Sequence, residues 1–452
     1  MKKRQSGVLM HISSLPGAYG IGSFGQCAYD FVDFLVRTKQ RYWQILPLGT
    51  TSYGDSPYQS FSAFAGNTHF IDLDILVEQG LLEASDLEDV DFGSNPTEVD
   101  YAKIYYARRP LLEKAVKRFL EAGDVKDFEK FAQENQSWLE LFAEYMAIKE
   151  HFDNLAWTEW PDADARARKA STLESYREKL ADKLVYHRVT QYLFFQQWLK
   201  LKAYANENHI EIVGDMPIYV AEDSSDMWAN PHLFKTDENG KATCIAGCPP
   251  DEFSATGQLW GNPIYDWEAM DKDGYKWWIE RLRESFKIYD IVRIDHFRGF
   301  ESYWEIPAGS ETAAPGKWVK GPDYKLFAAV KEELGDLNII AEDLGFMTDE
   351  VIELRERTGF PGMKVLQFAF NPEHESIDSP HLAPANSVMY TGTHDNNTVL
   401  GWYRNEIDDP TREYMARYTN RKEYESVPHA MLRTVFASVS FMAIATMQDL
   451  LE

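Results

Sequence analysis

Three carboxylates, Asp295, Glu342 and Asp395, close short apolar runs of the kind that form β-strands, at residues 291–295, 338–342 and 387–395. When parallel strands wrap into a barrel, their C-terminal ends share one mouth, so acids at the ends of different strands converge there. Two carboxyl groups roughly 5–5.5 Å apart can perform retaining glycosidic chemistry, one attacking the anomeric carbon while the other protonates the leaving oxygen. Asp295 reads as the nucleophile, because Arg293 lies two residues earlier on the same strand face and favours the ionised form. Glu342 reads as the general acid. Its neighbour Asp343 must point to the opposite face, its side chain is the longer of the two, and the charge on Asp295 raises its pKa. Asp395, beside His394, is left to hydrogen-bond sugar hydroxyls more strongly as the ring flattens toward an oxocarbenium-like transition state. Any one strand-end acid is explained as well by capping the next helix. Three of them, one with an arginine at i−2 and one beside a histidine, point to a site.

Such a site needs a scaffold that holds strand ends together. Eight β-rich runs recur, at residues 7–13, 42–48, 210–220, 291–295, 337–342, 363–370, 387–390 and 441–446. Helix-period segments lie between several of them, at 29–38 and 275–288 for example, and strand-helix alternation implies a parallel sheet. The expected class is therefore α/β, a (β/α)8 barrel formed from residues 1–72, 205–220 and 275–452. Residues 73–204 carry no strand signal. They hold amphipathic segments at 110–122, 125–151 and 182–204 and read as a helical insertion. Residues 221–274, rich in Gly, Pro, Asn, Asp and Trp, read as an irregular substrate-loop insertion. The 452 residues form a single catalytic unit in this reading, and the C-terminal barrel helix after the eighth run is expected to be absent.

A chain that is 44% hydrophobic and 14% aromatic can bury a large core. Its net charge of −26 argues against nucleic acid or an anionic membrane as partner, since both attract clustered Lys and Arg. A neutral polar substrate meets no such obstacle. Only three cysteines, Cys27, Cys244 and Cys248, are present, which fits a reducing, cytoplasmic compartment. Lys2, Lys3 and Arg4 resemble the start of a signal peptide, but His11, Ser13, Ser14 and Pro16 break the run that follows. The longest uncharged apolar stretch, 434–448, is too short to span a bilayer.

The loop at 247–267 combines turn formers with Trp260, Trp267 and polar amides, and the loop ending at Tyr58 has a similar composition. Pyranose rings have an apolar face and a rim of hydroxyls, so aromatic platforms flanked by hydrogen-bonding groups suit them. Burial beneath the loop explains either tryptophan as well, and Asp215 could bind sugar or simply turn the chain. Gly20, Gly22 and Gly25 match a dinucleotide fingerprint, but the following strand offers no acid for a ribose, so a turn is the simpler account. Cys244 and Cys248 without a second ligand pair do not make a metal site.

Seven segments together resemble the amylomaltases, cytosolic 4-α-glucanotransferases: residues 11–17, 54–67, 214–220, 249–267, 293–299, 341–345 and 391–397. The resemblance runs almost end to end, and the 249–267 segment separates it from the α-amylases. It implies a (β/α)8 barrel with Asp295 as nucleophile, Glu342 as acid/base and Asp395 as transition-state stabiliser. It further implies that Asp215, Arg293 and His394 line the donor site and that Tyr58, Gln258, Trp260 and Phe368 contact the glucan. No metal or organic cofactor is implied. The implied reaction moves an α-1,4-glucan segment to the 4-hydroxyl of another maltooligosaccharide or of glucose. An α-glucan hydrolase with the same acids, or a noncatalytic glucan-binding protein, would share parts of this pattern.

Overall fold

The computed structural model describes residues 3–250, 254–345 and 347–452. Asp251, Glu252 and Phe253 of the tryptophan-rich loop, and Lys2 at the start, lie outside the described residues. Twelve strands are found among them: β1 (Gln5–Leu9), β2 (Tyr42–Gln44), β3 (Glu211–Met216), β4 (Cys244–Cys248), β5 (Gln258–Pro263), β6 (Ile291–Ile294), β7 (Ser302–Pro307), β8 (Lys317–Lys320), β9 (Ile339–Ala341), β10 (Gly362–Val365), β11 (Ser387–Tyr390) and β12 (Met442–Thr446).

Eight of these form one parallel sheet in the order β10-β11-β12-β1-β2-β3-β6-β9, with every ladder parallel. The two ends of that order meet through a backbone bond from the Ala341 N–H to the Pro361 carbonyl, 2.9 Å, which brings the sheet close to a closed barrel. Side-chain parity does the rest. Leu9, Tyr42, Val213, Ile291, Ile340, Met363, Val388 and Ile444 point inward and pack on one another, filling the barrel with branched and aromatic side chains. Their chain neighbours Val8, Trp43, Ile212, Val292 and Ile339 point outward and join the larger core under the surrounding helices. Carried along each strand, the same parity turns Asp215, Arg293, Asp295 and Glu342 toward the interior at the C-terminal end.

Between β2 and β3 the described residues hold helices and no strand. The long members are Tyr101–Ala122, Gln136–His151 and Ala181–Glu207. The expected start at Pro110 is nine residues late: Pro110 lies inside the helix, and Asp100 caps its true beginning by accepting from the Lys103 N–H. The segment read as one helix from 125 to 151 breaks at Asn135, which ends Lys126–Glu134 and begins Gln136–His151.

The reading of 221–274 as irregular loop is corrected by the structure. β4 and β5 lie within it and form an antiparallel sheet with β7 and β8, in the order β5-β4-β7-β8. Gly247 in β4 shows why the segment looks irregular: a Cβ there would collide with the Gln258 carbonyl across the ladder, so close strand packing requires glycine. Gly22 in the apparent dinucleotide fingerprint is likewise a packing glycine, seated against the Ile12 carbonyl.

Candidate active site

Two acids leave adjacent barrel strands at their C-terminal ends. Asp295 directly follows β6 and Glu342 directly follows β9, its neighbour in the sheet. Glu342 is held by its own backbone surroundings: Oε2 accepts from the His296 N–H at 2.8 Å and Oε1 from the Leu344 N–H at 2.9 Å. Asp343 turns the other way. Its Oδ1 accepts from the Met363 N–H at 2.6 Å and its Oδ2 from Arg355 at 2.5 Å, so it ties β9 to β10 behind the mouth.

Beneath Asp295 lies a guanidinium with almost no access to water. Arg293 is 1% exposed, and its Nη1 reaches Asp215 Oδ1 at 2.7 Å, Asp215 Oδ2 at 2.8 Å and Asp295 Oδ1 at 3.0 Å. An unpaired charge at that depth would cost several kcal/mol, so the fully buried Asp215 is the counter-ion that lets Arg293 exist there. Tyr58 extends the network. Its hydroxyl donates to Asp215 Oδ2 at 2.8 Å, and having only one proton it must accept from His394 Nε2 at 2.6 Å, which fixes the proton of that ring on Nε2. The two rings stack at 5.4 Å, and the same His394 nitrogen lies 3.3 Å from Asp395 Oδ1. The line Asp295, Arg293, Asp215, Tyr58, His394, Asp395 is thus continuous.

Burial dominates the electrostatics of both inner acids. Asp295 is pushed up to about 6, by burial first and by Asp215 and Asp395 nearby, while Arg293 pulls it down. Arg293 favours the ionised form of Asp295, as its place two residues earlier suggests, but the guanidinium also serves Asp215 and does not cancel the cost of burial. Glu342 is pushed up further, to about 7, by burial and then by the charge on Asp295. His11, in the turn after β1, accepts from the Leu46 N–H at Nδ1 and is pushed down to about 3 by burial and by His394, so it stays neutral.

The remaining candidates ride on loops and on the small sheet. Asp395 lies between β11 and the helix Val399–Asn405, with its side chain 67% exposed. Gln258 and Trp260 both sit on β5, where the Trp260 indole N–H donates to Gln258 Oε1 at 3.0 Å. The Trp260 ring meets the face of His296 edge-on at 4.7 Å, which brings β5 against the residue that follows Asp295. Gln59 pins this approach by donating to the Trp260 carbonyl and to Asn262. Phe368, on the turn Leu366–Ala369 after β10, is 45% exposed and stands apart from the hydrogen-bonded line. Trp267 is buried under its loop. Cys244 and Cys248 stand at opposite ends of β4, and among the described residues no three His, Cys, Asp or Glu side chains gather as a metal site would require. No described helix is long and apolar enough to cross a membrane.

His296 and Gln59 were not singled out from sequence. His296 holds Glu342 through a backbone N–H presented by a left-handed turn, φ 52°, and nothing in the residue type announces that. Gln59 could have been found from its place beside Tyr58 in a polar loop.

A family model described as 4-alpha-glucanotransferase matches residues 10–452. The chain is 94% identical over 452 residues to a 4-alpha-glucanotransferase of Streptococcus pneumoniae, covering all of this chain and 90% of that protein. It is 49% identical over 444 residues to a 4-alpha-glucanotransferase of Clostridium butyricum, covering 98% of this chain and 91% of the relative. Among solved structures, amylomaltase from Streptococcus agalactiae in complex with acarbose superposes with a TM-score of 0.97 at 50% identity, covering 99% of this chain and 91% of that one.

Proposed function

The chain belongs to the 4-alpha-glucanotransferase family and is an enzyme of that activity, and on that footing we propose which residues carry the transfer and how. Asp295 attacks the anomeric carbon of an α-1,4-linked glucan. As the new carbon–oxygen bond forms, the glycosidic bond breaks, and the departing oxygen takes the proton held by Glu342. The leaving chain departs with a free 4-hydroxyl, and the donor segment remains as a β-linked ester on Asp295. An incoming 4-hydroxyl then gives its proton to the Glu342 carboxylate as it attacks the same carbon and expels Asp295. Two inversions retain the α configuration.

The observation that carries this reading is the placement of Asp295 and Glu342 at the ends of adjacent barrel strands, with Arg293 3.0 Å from Asp295 and Glu342 held by two backbone N–H groups. Burial raises both acids, Arg293 favours the ionised form of Asp295, and the charge on Asp295 raises Glu342 further, so the singly protonated pair favours an ionised nucleophile and a protonated acid. The pair titrates as a unit, and its limbs belong to both acids together. Asp395 and His394 hydrogen-bond donor hydroxyls at the mouth, while Trp260, Gln258, Tyr58 and Phe368 offer platforms and polar edges to the glucan. Asp215 and Arg293 fix the floor. The donors and acceptors are maltooligosaccharides, with glucose as the smallest acceptor. An oligosaccharide ligand is supported by the solved relative in complex with acarbose. A chain with only three cysteines fits action in the cytoplasm.

The test is incubation with maltotriose alone, with products separated by size. Glucose together with oligosaccharides longer than the donor is expected. Accumulation of maltose and glucose only would mean that water replaces the sugar acceptor. Glu342→Gln is expected to bind maltotriose while turning over roughly 10²- to 10⁴-fold more slowly, and undiminished turnover would remove Glu342 from its role.

A further inference from the structure

Asp395 has little of its own to hold it: a largely exposed side chain whose near charged neighbour is His394, at 3.3 Å. Its position comes from the loop 391–398, which is stiff within itself. Asn396 Oδ1 accepts from both the N–H and the hydroxyl of Thr393, and that hydroxyl oxygen accepts from the Asp395 N–H at 3.2 Å. Gln367 donates to the Asn397 carbonyl at 2.9 Å. The two ends of the loop meet one buried side chain from elsewhere. Asp449, in the helix Met447–Leu451 after β12, is 2% exposed. Its Oδ2 accepts from the Thr391 hydroxyl at 2.7 Å, and its Oδ1 accepts from the Val399 N–H at 2.8 Å. Thr391 leaves β11 and Val399 opens the helix that ends the loop. Asp449 is itself steadied by its N–H, which donates to Thr446 Oγ1 at 3.3 Å.

We propose that Asp449 is a positioning residue for the transfer reaction: by tying both ends of one stiff loop, it sets where Asp395 stands over the donor sugar without touching the sugar. The proposal rests on the role assigned to Asp395 above. A carboxyl side chain suits the task, since each of its two oxygens accepts from one end of the loop, and the Val399 N–H is one of the amides that a helix start leaves unpaired. A stiff loop with two anchors pivots when one is lost. A displacement of about 1 Å at a reacting centre costs on the order of 100-fold in rate.

The test is a pair of comparisons on the purified chain with maltotriose. Asp449→Ala is expected to lower kcat roughly 10- to 100-fold while KM moves less than about threefold. Asp449→Asn is expected to recover most of that loss, because the amide oxygen can still accept from Val399 while the Thr391 hydroxyl turns to accept from the amide nitrogen. Repeated in an Asp395→Asn background, Asp449→Ala is expected to change the residual rate by less than about twofold, since the residue to be positioned is already disabled. Equal losses in both backgrounds overturn the proposal, as they show Asp449 acting independently of Asp395. Undiminished activity of Asp395→Asn alone overturns the role of Asp395 itself, and that single variant tells the two failures apart. If Asp449→Ala does not fold, Thr391→Val removes one anchor and replaces it in the same cycle, with an expected loss of about 3- to 10-fold.

Discussion

The mouth of the barrel holds two kinds of acid. Asp295 and Glu342 stand at strand ends, turned inward by the parity of β6 and β9, and each has protein partners within about hydrogen-bonding distance. Asp395 hangs on a loop, 67% exposed, and that loop is bonded to two buried side chains, Asp449 and Gln367. The difference teaches that fold and loop supply different quantities. Burial in the barrel sets the protonation of the inner pair, whereas loop anchoring sets the geometry of the outer acid and leaves its charge open to solvent.

The sharpest way to break this contrast is to remove the nucleophile. Asp295→Asn is expected to lower transfer by roughly 10⁴-fold or more, with folding retained because Arg293 keeps Asp215 as counter-ion. Activity measured against melting temperature separates the two effects.

Asp395→Asn is expected to cost less, on the order of 10²- to 10³-fold, and to move one limb of the pH profile. The charge on Asp395 raises the pKa of Asp295, so removing it makes Asp295 easier to ionise. The acidic limb of the rate profile is expected to shift to lower pH. The alkaline limb is expected to move less, since burial and the charge on Asp295 raise Glu342 and the inner pair titrates as a unit. An acidic limb that stays or rises would detach Asp395 from the inner pair.

The smallest effect is expected at the rim. Trp260→Ala removes a platform that touches His296 edge-on but no charge, so KM for maltotriose is expected to rise about tenfold with kcat changed little, as for a contact made equally in ground and transition states. A fall in kcat with KM unchanged would place Trp260 among the groups that act in the transition state.

Much of this division is already visible in the amino-acid pattern. All eight barrel strands fall within or overlap the apolar runs, because inward and outward side chains are both apolar in a parallel sheet covered by helices. Strand ends are less legible. The run at 210–220 stops as strand at Met216, before Pro217, and the run at 363–370 becomes a turn after Val365. β7 is hard to read from sequence because its partner β4 lies some way back in the chain and such pairing leaves no local mark, and β8 has only β7 beside it. Strand alternation says that only one of Glu342 and Asp343 enters the mouth, side-chain length favours Glu342, and the structure turns the two side chains to different sides. What alternation could not reveal is the value of the charges. The guanidinium two residues from Asp295 is the stabilising partner its spacing suggests, but the spacing shows neither the burial that outweighs it nor Asp215, nearly eighty residues earlier, on the same nitrogen. Asp449 was invisible for the same reason, since Thr391 is 58 residues away.

The most direct measurement is to trap the covalent intermediate on the Glu342→Gln variant with an α-maltosyl fluoride donor. Fluoride leaves without needing a proton, so the first step still runs, while the missing base slows the second and the glycosyl-enzyme accumulates. Peptide mass mapping is expected to find one maltosyl unit on the peptide containing Asp295. A maltosyl unit on Asp215, Asp395 or any other carboxylate would contradict the assignment of Asp295 as nucleophile.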